Sequence, residues 1–484
     1  PVFLLVNHNV LFLCKDIQFI RQTWNDRFGN SKREISFNEE AVILKSVQLF
    51  LILQVISVAG GLFMKTGGSG YRSIWTNEAE PQSVSVIDQR KLPFSYEVLT
   101  LSSAGDVCEA ISGMAVRGAP LIGAVAAWGV FLSFLEHAGR KDFYDLVMND
   151  AYRLKAARPT AVNLAWAVDI MTEVLKRDPA VRSLRAAAEQ LCHEEAERSR
   201  MIGVHGLPLI EEISRRKGGE TVNILTHCNA GWLACVDHGT ALAPVYLAHD
   251  RGIRVHVWVD ETRPRNQGSR LTAWELTEHG VPCTLVTDNA GGHLMQNGMV
   301  DIVIVGCDRT TASGDVANKT GTYLKALAAH DNGIPFYSAF PVSTFDMNID
   351  RPDQIVIEER DGDEVRIIEG MHVTSEGSPV TSEEMHVTSK GSLVTSEGLP
   401  VSSKESPVSS KELPANSEAL TAKRPGADGA GDQARGTASV LICPEDMPVS
   451  NFGFDVTPAR LLSGIITDRG ICAADRESIL KLFA

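Results

Sequence analysis

The sequence predicts an α/β fold in two parts: an N-terminal mainly helical domain, then a C-terminal Rossmann-like, doubly wound parallel sheet. Two observations carry that prediction. Residues 100–215 set Ala, Leu and Val at helical spacing, whereas beyond residue 221 short β-branched apolar runs alternate with helical segments. Strands that are apolar throughout and alternate with helices imply a parallel sheet covered on both faces. A third observation sets the limits, because a polar repeat interrupts the second part and folded character resumes near Cys443. The expected divisions are an apolar extension over 1–63, a helical domain over 64–215, a sheet domain over 216–370 with 441–484, and a disordered insertion over 371–440.

A chain of 484 residues with 44% hydrophobic content has ample material for a buried core. Lys and Arg number 46 against 60 Asp and Glu, a formal charge of −14 with no basic run, which argues against nucleic acid as the main partner. A soluble cytoplasmic surface is the plain reading of that charge. Nine cysteines are scattered without a C-x-x-C pair or a metal-like Cys/His spacing, so reduced thiols are expected and no metal site. Residues 46–64 run for 19 residues without a charge, about the length of a membrane span. Two glutamines and a Gly-Gly pair weaken that reading, and no signal-peptide cleavage pattern follows. Residues 1–63 are therefore expected to be an extension foreign to the rest, with a membrane anchor as the second reading.

Taken in order, Ser83-Val84-Ser85-Val86-Ile87 alternates as a strand does, and residues 100–140 read as helices. Arg117-Gly118-Ala119-Pro120 stands just ahead of the apolar run 121–132, with proline at a first helical turn. A helix start with free amides and an arginine beside it is suited to an anion; an ordinary cap with a solvated arginine is the plainer alternative. Arg158-Pro159-Thr160 repeats the arrangement ahead of a helix over 161–176, and 180–215 reads as a long amphipathic helix.

Strands are expected at 222–226, 254–259, 283–287, 301–305 and 334–339, and helices at 239–250, 271–279, 292–297 and 318–331. In such sheets ligands bind outside the carboxyl ends of the strands. Cys228, Asp260-Glu261-Thr262, Thr287-Asp288-Asn289, Asp308 and Ser343-Thr344-Phe345-Asp346 each follow one of these strands. No G-x-G-x-x-G and no P-loop occurs, so no nucleotide cofactor is expected.

The chemistry of these residues narrows the function. Cys228 precedes Asn-Ala-Gly, where amides of a following helix would favour a thiolate; simple packing is the alternative. His227 beside it would point to the opposite face and support the loop. Asp308 directly follows an apolar strand, so burial would raise its pKa, unless it pairs with Arg309 or caps a turn. Asn318-Lys319 at a helix start, Arg117, Arg158, Gln267 and Arg270 supply charge and donors for a phosphate and hydroxyls. A thiol, a dry carboxylate and phosphate ligands suggest proton transfer on a sugar phosphate.

From Val373 a seven-residue unit repeats: VTSEGSP, VTSEEMH, VTSKGSL, VTSEGLP, VSSKESP, VSSKELP. Residues 371–440 contain no Phe, Trp or Tyr, too little apolar surface to offset the ordering of the backbone, so disorder is expected. An insertion of this kind is tolerable where its ends lie close together. After it, residues 460–466 read as helix-like.

The stretches RGAPLIGAVAAWGV, RPTAVNLAWAV, ILTHCNAGWLA, ETRPRNQGSRLTAWEL, VGCDRTTASGDVANKTGTY, FPVSTFD, IEER and FDVTPARLLSGIITDRG cover most of 71–370 and 441–484. Together they resemble the methylthioribose-1-phosphate isomerases, relatives of the regulatory subunits of eukaryotic translation initiation factor 2B. The resemblance implies a metal-free homodimer that converts an aldose phosphate to a ketose phosphate in methionine salvage. It implies Asp308 as proton donor in ring opening and Cys228 as the group acting at C1–C2. It implies Arg117, Gly118, Ala119, Arg158, Gln267, Asn318 and Lys319 as substrate ligands. A ribose 1,5-bisphosphate or 5-deoxyribose 1-phosphate isomerase would use the same pair. A non-catalytic regulatory subunit would not need both. Three departures stand out: the extension over 1–63, the repeat, and Asn451-Phe452-Gly453-Phe454-Asp455 in place of Asn-Pro-Ala-Phe-Asp.

Overall fold

The computed structural model describes residues 65–66, 69–70, 72–77, 80–159, 161–373 and 437–484. The expected extension over 1–63 and all but the margins of the expected insertion lie outside the described residues.

The front of the chain is a three-stranded antiparallel sheet, β1 (Ile74–Asn77), β2 (Glu80–Ile87) and β3 (Val98–Leu101), followed by five helices. These are α1 (Ala104–Ser112), α2 (Ala119–His137), α3 (Phe143–Ala157), α4 (Val162–Arg177) and α5 (Val181–Arg216). Ser103 caps α1 through the amide of Asp106, whose carboxylate returns to the amide of Ser103. Every residue of α2 from Ala119 to Phe134 is buried, because the other four helices pack around it. It is long and apolar enough to cross a membrane, and here it is the axis of a core. Each large side chain it buries contributes about 1.5–3 kcal/mol.

Helix α5 joins the two parts. Leu184, Ala188, Leu191 and Ala196 belong to the core around α2, whereas Ile202, Leu207, Ile210 and Ile213 pack beneath the main sheet. That sheet contains β4 (Val222–Thr226), β5 (Val255–Asp260), β6 (Cys283–Val286), β7 (Ile302–Val305), β10 (Phe336–Ala339), β15 (Gly464–Thr467) and β16 (Gly470–Cys472). Their spatial order is β16-β15-β10-β7-β4-β5-β6, parallel throughout except for β16 at one edge. The order reverses between β4 and β7, which lie side by side with Leu225 opposite Val303. The crevice at such a reversal is where doubly wound sheets take ligands. Helices α6 (Ala243–Asp250), α7 (Ala273–His279), α8 (Ala290–Gln296) and α9 (Thr322–Asp331) connect the strands. A smaller sheet caps the crevice, in the order β11 (Phe345–Asp346), β8 (Arg309–Thr311), β9 (Val316–Lys319), β14 (Phe454–Thr457).

Three expectations need correction. Residues 318–321 are not the start of a helix. Asn318 and Lys319 end β9, paired with Asp455 and Phe454, and Gly321 at φ +110° turns the chain before α9 begins. Residues 460–466 are not helix-like throughout. A 3-10 turn, Ala459–Leu461, leads into β15, whose Ile465 and Ile466 are wholly buried between β10 and β16. The margins of the expected insertion are ordered: Met371 ends β12 (Ile367–Met371), which pairs antiparallel with β13 (Thr437–Leu441). Backbone hydrogen bonds hold this ribbon whatever the side chains, and they set Met371 opposite Thr437.

Candidate active site

Cys228 and Asp308 leave the carboxyl ends of β4 and β7, the two strands that flank the reversal. Cys228 is turned into the left-handed region, at φ +67°. Its amide donates to the Thr262 hydroxyl at 2.8 Å, its carbonyl accepts from the Thr272 hydroxyl at 2.7 Å, and its thiol donates to Gln267 Oε1 at 3.1 Å. Residues from the β5–α7 connection therefore hold it on three sides. Burial pushes the thiol up, and Arg117 and Lys319 counter it only in part. The expected thiolate is thus overturned. The element that follows is a single 3-10 turn, Trp232–Ala234, and desolvation outweighs its amides.

His227 points away from the thiol chemistry. Its ring nitrogens lie 2.9 Å from Asp260 Oδ2 and 3.0 Å from the Thr320 carbonyl, and Lys325 Nζ is 3.1 Å from the same Asp260 oxygen. His227 therefore ties the Cys228 loop to the turn that follows Lys319. Its ligand atoms, with those of Asp260 and Asp288, lie close enough together to share a metal ion, but Lys325 already supplies positive charge there. A second ligand-type group, Glu136, His137 and Asp150, is engaged through Asp150 by Ser133, His137 and Arg153.

The amide of Asp308 donates to the Ala317 carbonyl at 3.0 Å, placing its carboxyl at the foot of the small sheet. Burial raises the carboxyl above the ordinary range, and the nearby charges of Lys319, Arg158 and Arg117 only moderate the rise. Arg309 turns instead toward Asp346, 3.8 Å away. Lys319 is buried, with Nζ 5.0 Å above the Phe454 ring. Burial pushes its ammonium down while Cys228 and Asp308 hold it up. Arg158, from the loop between α3 and α4, is likewise lowered by burial and raised by Asp308.

Gly118, at φ +89°, begins α2, and a Cβ there would collide with the backbone oxygen of Ala234. That close approach brings the free amides of α2 to the cavity. Arg117 is buried and donates to the side-chain and backbone oxygens of Asn229, the latter at 2.7 Å. Asn229 in turn donates to Thr272 at 3.1 Å and to Glu275, which also accepts from the Tyr246 hydroxyl at 3.1 Å. Burial pushes Glu275 up to about 7.

Arg117, Gly118, Ala119, Arg158, Cys228, Gln267, Asp308, Asn318 and Lys319 all line one cavity. Arg270 does not. Its guanidinium donates to the Leu92 carbonyl at 3.0 Å and pairs with Glu369 at 3.0 Å, outside this cavity. Sequence reasoning missed Asn229 and Glu275, which orient Arg117, and Arg360, which lines the cavity from the segment ahead of the ribbon. Asn229 stands beside Cys228 and was open to notice; nothing local marks Glu275. Arg360 is fixed by Glu364 at 2.9 Å and Glu358 at 2.9 Å. Burial would raise Glu364, but Arg360 and Arg265 together hold it down to about 2.

Residues 115–474 match the initiation factor 2 subunit family. A methylthioribose-1-phosphate isomerase of Desulfatibacillum aliphaticivorans is 48% identical over 425 residues, covering 87% of this chain and 99% of the relative. That of Desulfosudis oleivorans is 48% identical over 418 residues, covering 85% and 96%. The chain belongs to the methylthioribose-1-phosphate isomerase family. The crystal structure of 5-methylthioribose 1-phosphate isomerase from Pyrococcus horikoshii superposes with a TM-score of 0.65 at 33% identity, covering 88% of this chain and 97% of that one. Translation initiation factor eIF-2B subunit delta from A. fulgidus gives 0.61 at 31% identity, covering 85% and 100%. The isomerase family therefore shares its fold with initiation-factor subunits, and the side chains in the cavity must speak for catalysis.

Proposed function

We propose that this chain isomerises 5-methylthioribose 1-phosphate to 5-methylthioribulose 1-phosphate, a step of methionine salvage. The observation that carries the reading is the placement of Cys228 and Asp308 on adjacent strand ends in one cavity with Lys319, Arg117 and Arg158. The substrate's C1 is blocked as a phosphate ester, so the ring must open without a free aldehyde. Asp308, whose carboxyl burial raises above the ordinary range, donates in its protonated form to the ring oxygen as the bond from C1 to that oxygen breaks. C1 gains the hydrogen that C2 gives up, and the proton of the C2 hydroxyl replaces the one Asp308 donated as the ketone forms. The exchange is internally balanced. Cys228 acts at C1–C2 as the relay. Arg117, the amides at Gly118 and Ala119, Arg158, Gln267, Asn318 and Lys319 bind the phosphate and hydroxyls.

The test is a side-by-side assay of methylthioribose 1-phosphate, ribose 1,5-bisphosphate and 5-deoxyribose 1-phosphate. A strong preference for the methylthio sugar is expected; preference for the bisphosphate would sink the reading. Tight binding without turnover of any of the three would favour a regulatory role. The same reading carries a homodimer acting in the cytoplasm. A monomeric mass by light scattering would remove the first, and membrane-bound native protein on cell fractionation the second.

A further inference from the structure

Beside the catalytic cavity lies a second one, of about 470 Å³, that the proposed reaction does not use. Its charged lining is Arg90, Lys91, Arg117, Arg265 and Arg270, with Glu369 as the one carboxylate among the described lining residues. Three of these cations already have partners: Arg90 meets Asp88 at 2.7 Å, Arg265 meets Glu364 at 2.7 Å, and Arg270 meets Glu369 at 3.0 Å. The other two carry the excess positive charge. Arg117 spends its hydrogen bonds on the neutral Asn229, and Lys91 has no carboxylate within ion-pair distance among the described residues. Met114, Arg117 and Gln267 line both cavities, so Arg117 forms part of the wall between them.

We propose that this second cavity is an antechamber that takes the phosphate of the incoming sugar phosphate and hands it past Arg117 to the catalytic cavity. The inference rests on the sugar-phosphate reading above. Its volume falls in the range of small-molecule sites, roughly 300–1,000 Å³. The character of its cations suits a transient hold. Arg90, Arg265 and Arg270 are pinned by carboxylates and Arg117 by Asn229, whereas Lys91 is an exposed, flexible point charge that attracts a phosphate without the bidentate grip that would trap it. Excess positive charge on a low-dielectric wall raises the local concentration of an anion, and salt screens the effect.

Two measurements decide it. In the first, wild type and Lys91→Glu are assayed with methylthioribose 1-phosphate at low and at high ionic strength. The variant should lose about tenfold in kcat/KM at low salt and less than about twofold at high salt, with the loss in KM and not in kcat. Equal kcat/KM for the two proteins at low salt overturns the antechamber, as does a loss confined to kcat. The second measurement needs no turnover. Inorganic phosphate, but not chloride at the same ionic strength, should slow acylation of the Lys91 amine, followed by mass spectrometry. Unchanged labelling overturns the inference whatever the substrate. A wild-type protein that ignores the methylthio sugar while phosphate still protects Lys91 overturns the functional reading and supports the antechamber.

Discussion

The thiol of Cys228 donates to the side-chain oxygen of Gln267 at 3.1 Å, so the proposed relay and a proposed substrate ligand hold one another before any substrate arrives. Burial pushes the pKa of that thiol up. Cys228 is therefore placed to give and regain a proton, and the sulfur need not act as a nucleophile.

Replacing either member of the pair should disable the chemistry while leaving the fold in place. Cys228→Ser and Asp308→Asn are each expected to cut kcat by at least ~10²-fold, the scale of losing an acid–base group. Steady-state assays with circular dichroism as a folding control check this. Near-wild-type turnover in either variant refutes that residue's role.

Asp308 sets the direction of the pH profile. A proton donor works in its protonated form, and burial has raised the pKa of this carboxyl. Activity should hold on the acid side and fall as pH rises through that raised value, and the fall should be absent from the residual activity of Asp308→Asn. A profile in which wild-type kcat/KM rises across the same range would contradict the assignment.

Glu275 predicts a pH dependence of stability. Its folded pKa of about 7 lies above the ordinary 4.5, so the folded state holds the proton where the unfolded chain releases it. The stabilising contribution is complete below about 4.5 and is lost as pH rises to about 7, on the order of 3 kcal/mol. Glu275→Gln should therefore gain in Tm relative to wild type between pH 5 and pH 8. Parallel Tm curves for the two proteins would contradict it.

Gly118→Ala places a methyl group against the Ala234 carbonyl at a backbone angle of +89°. A cost of about 1–3 kcal/mol is expected from the conformation alone, with the collision added to it. Thermal denaturation should show a lower Tm, and KM should rise more than kcat falls, because the amides of α2 are displaced. An unaltered KM would separate this turn from phosphate binding.

The ribbon makes a surgical test of the repeat. Because Met371 faces Thr437 across two antiparallel strands, replacing residues 372–436 with Asn-Gly should close the pair as a tight hairpin. Soluble protein with kcat within about twofold of wild type is expected. Failure to fold would show that the repeat supports the domain.

The parts of the fold that were legible in the sequence are those built by local pattern. Strands β4, β7 and β10, at the centre of the sheet, are short and largely buried apolar runs, and α2 is apolar on every side. What escaped depends on partners distant along the chain. Asn318 and Lys319 are strand residues because Asp455 and Phe454 pair with them, and β15 is a strand because β10 accepts it. The site followed the same rule. Its members stand at strand ends and helix starts, where polar residues break an apolar pattern. The raised pKa of Cys228 and the buried Glu275 come from packing that no local pattern reveals.

Helix α5 has one more consequence, for how substrate reaches the cavity. The helix carries the α2 core at one end and the sheet core at the other, and it crosses between Ala196 and Ile202 without a break. Its proline, Pro208, lies beyond that crossing, on the sheet side. Arg117 and Arg158 stand on the first body, Cys228 and Asp308 on the second. Swinging the arginines away from the reactive pair would mean fracturing a continuous run of helix and prying both hydrophobic interiors apart. Traffic in and out therefore uses side-chain displacements at the wall that Met114, Arg117 and Gln267 share between the two cavities, while the two bodies stay fixed.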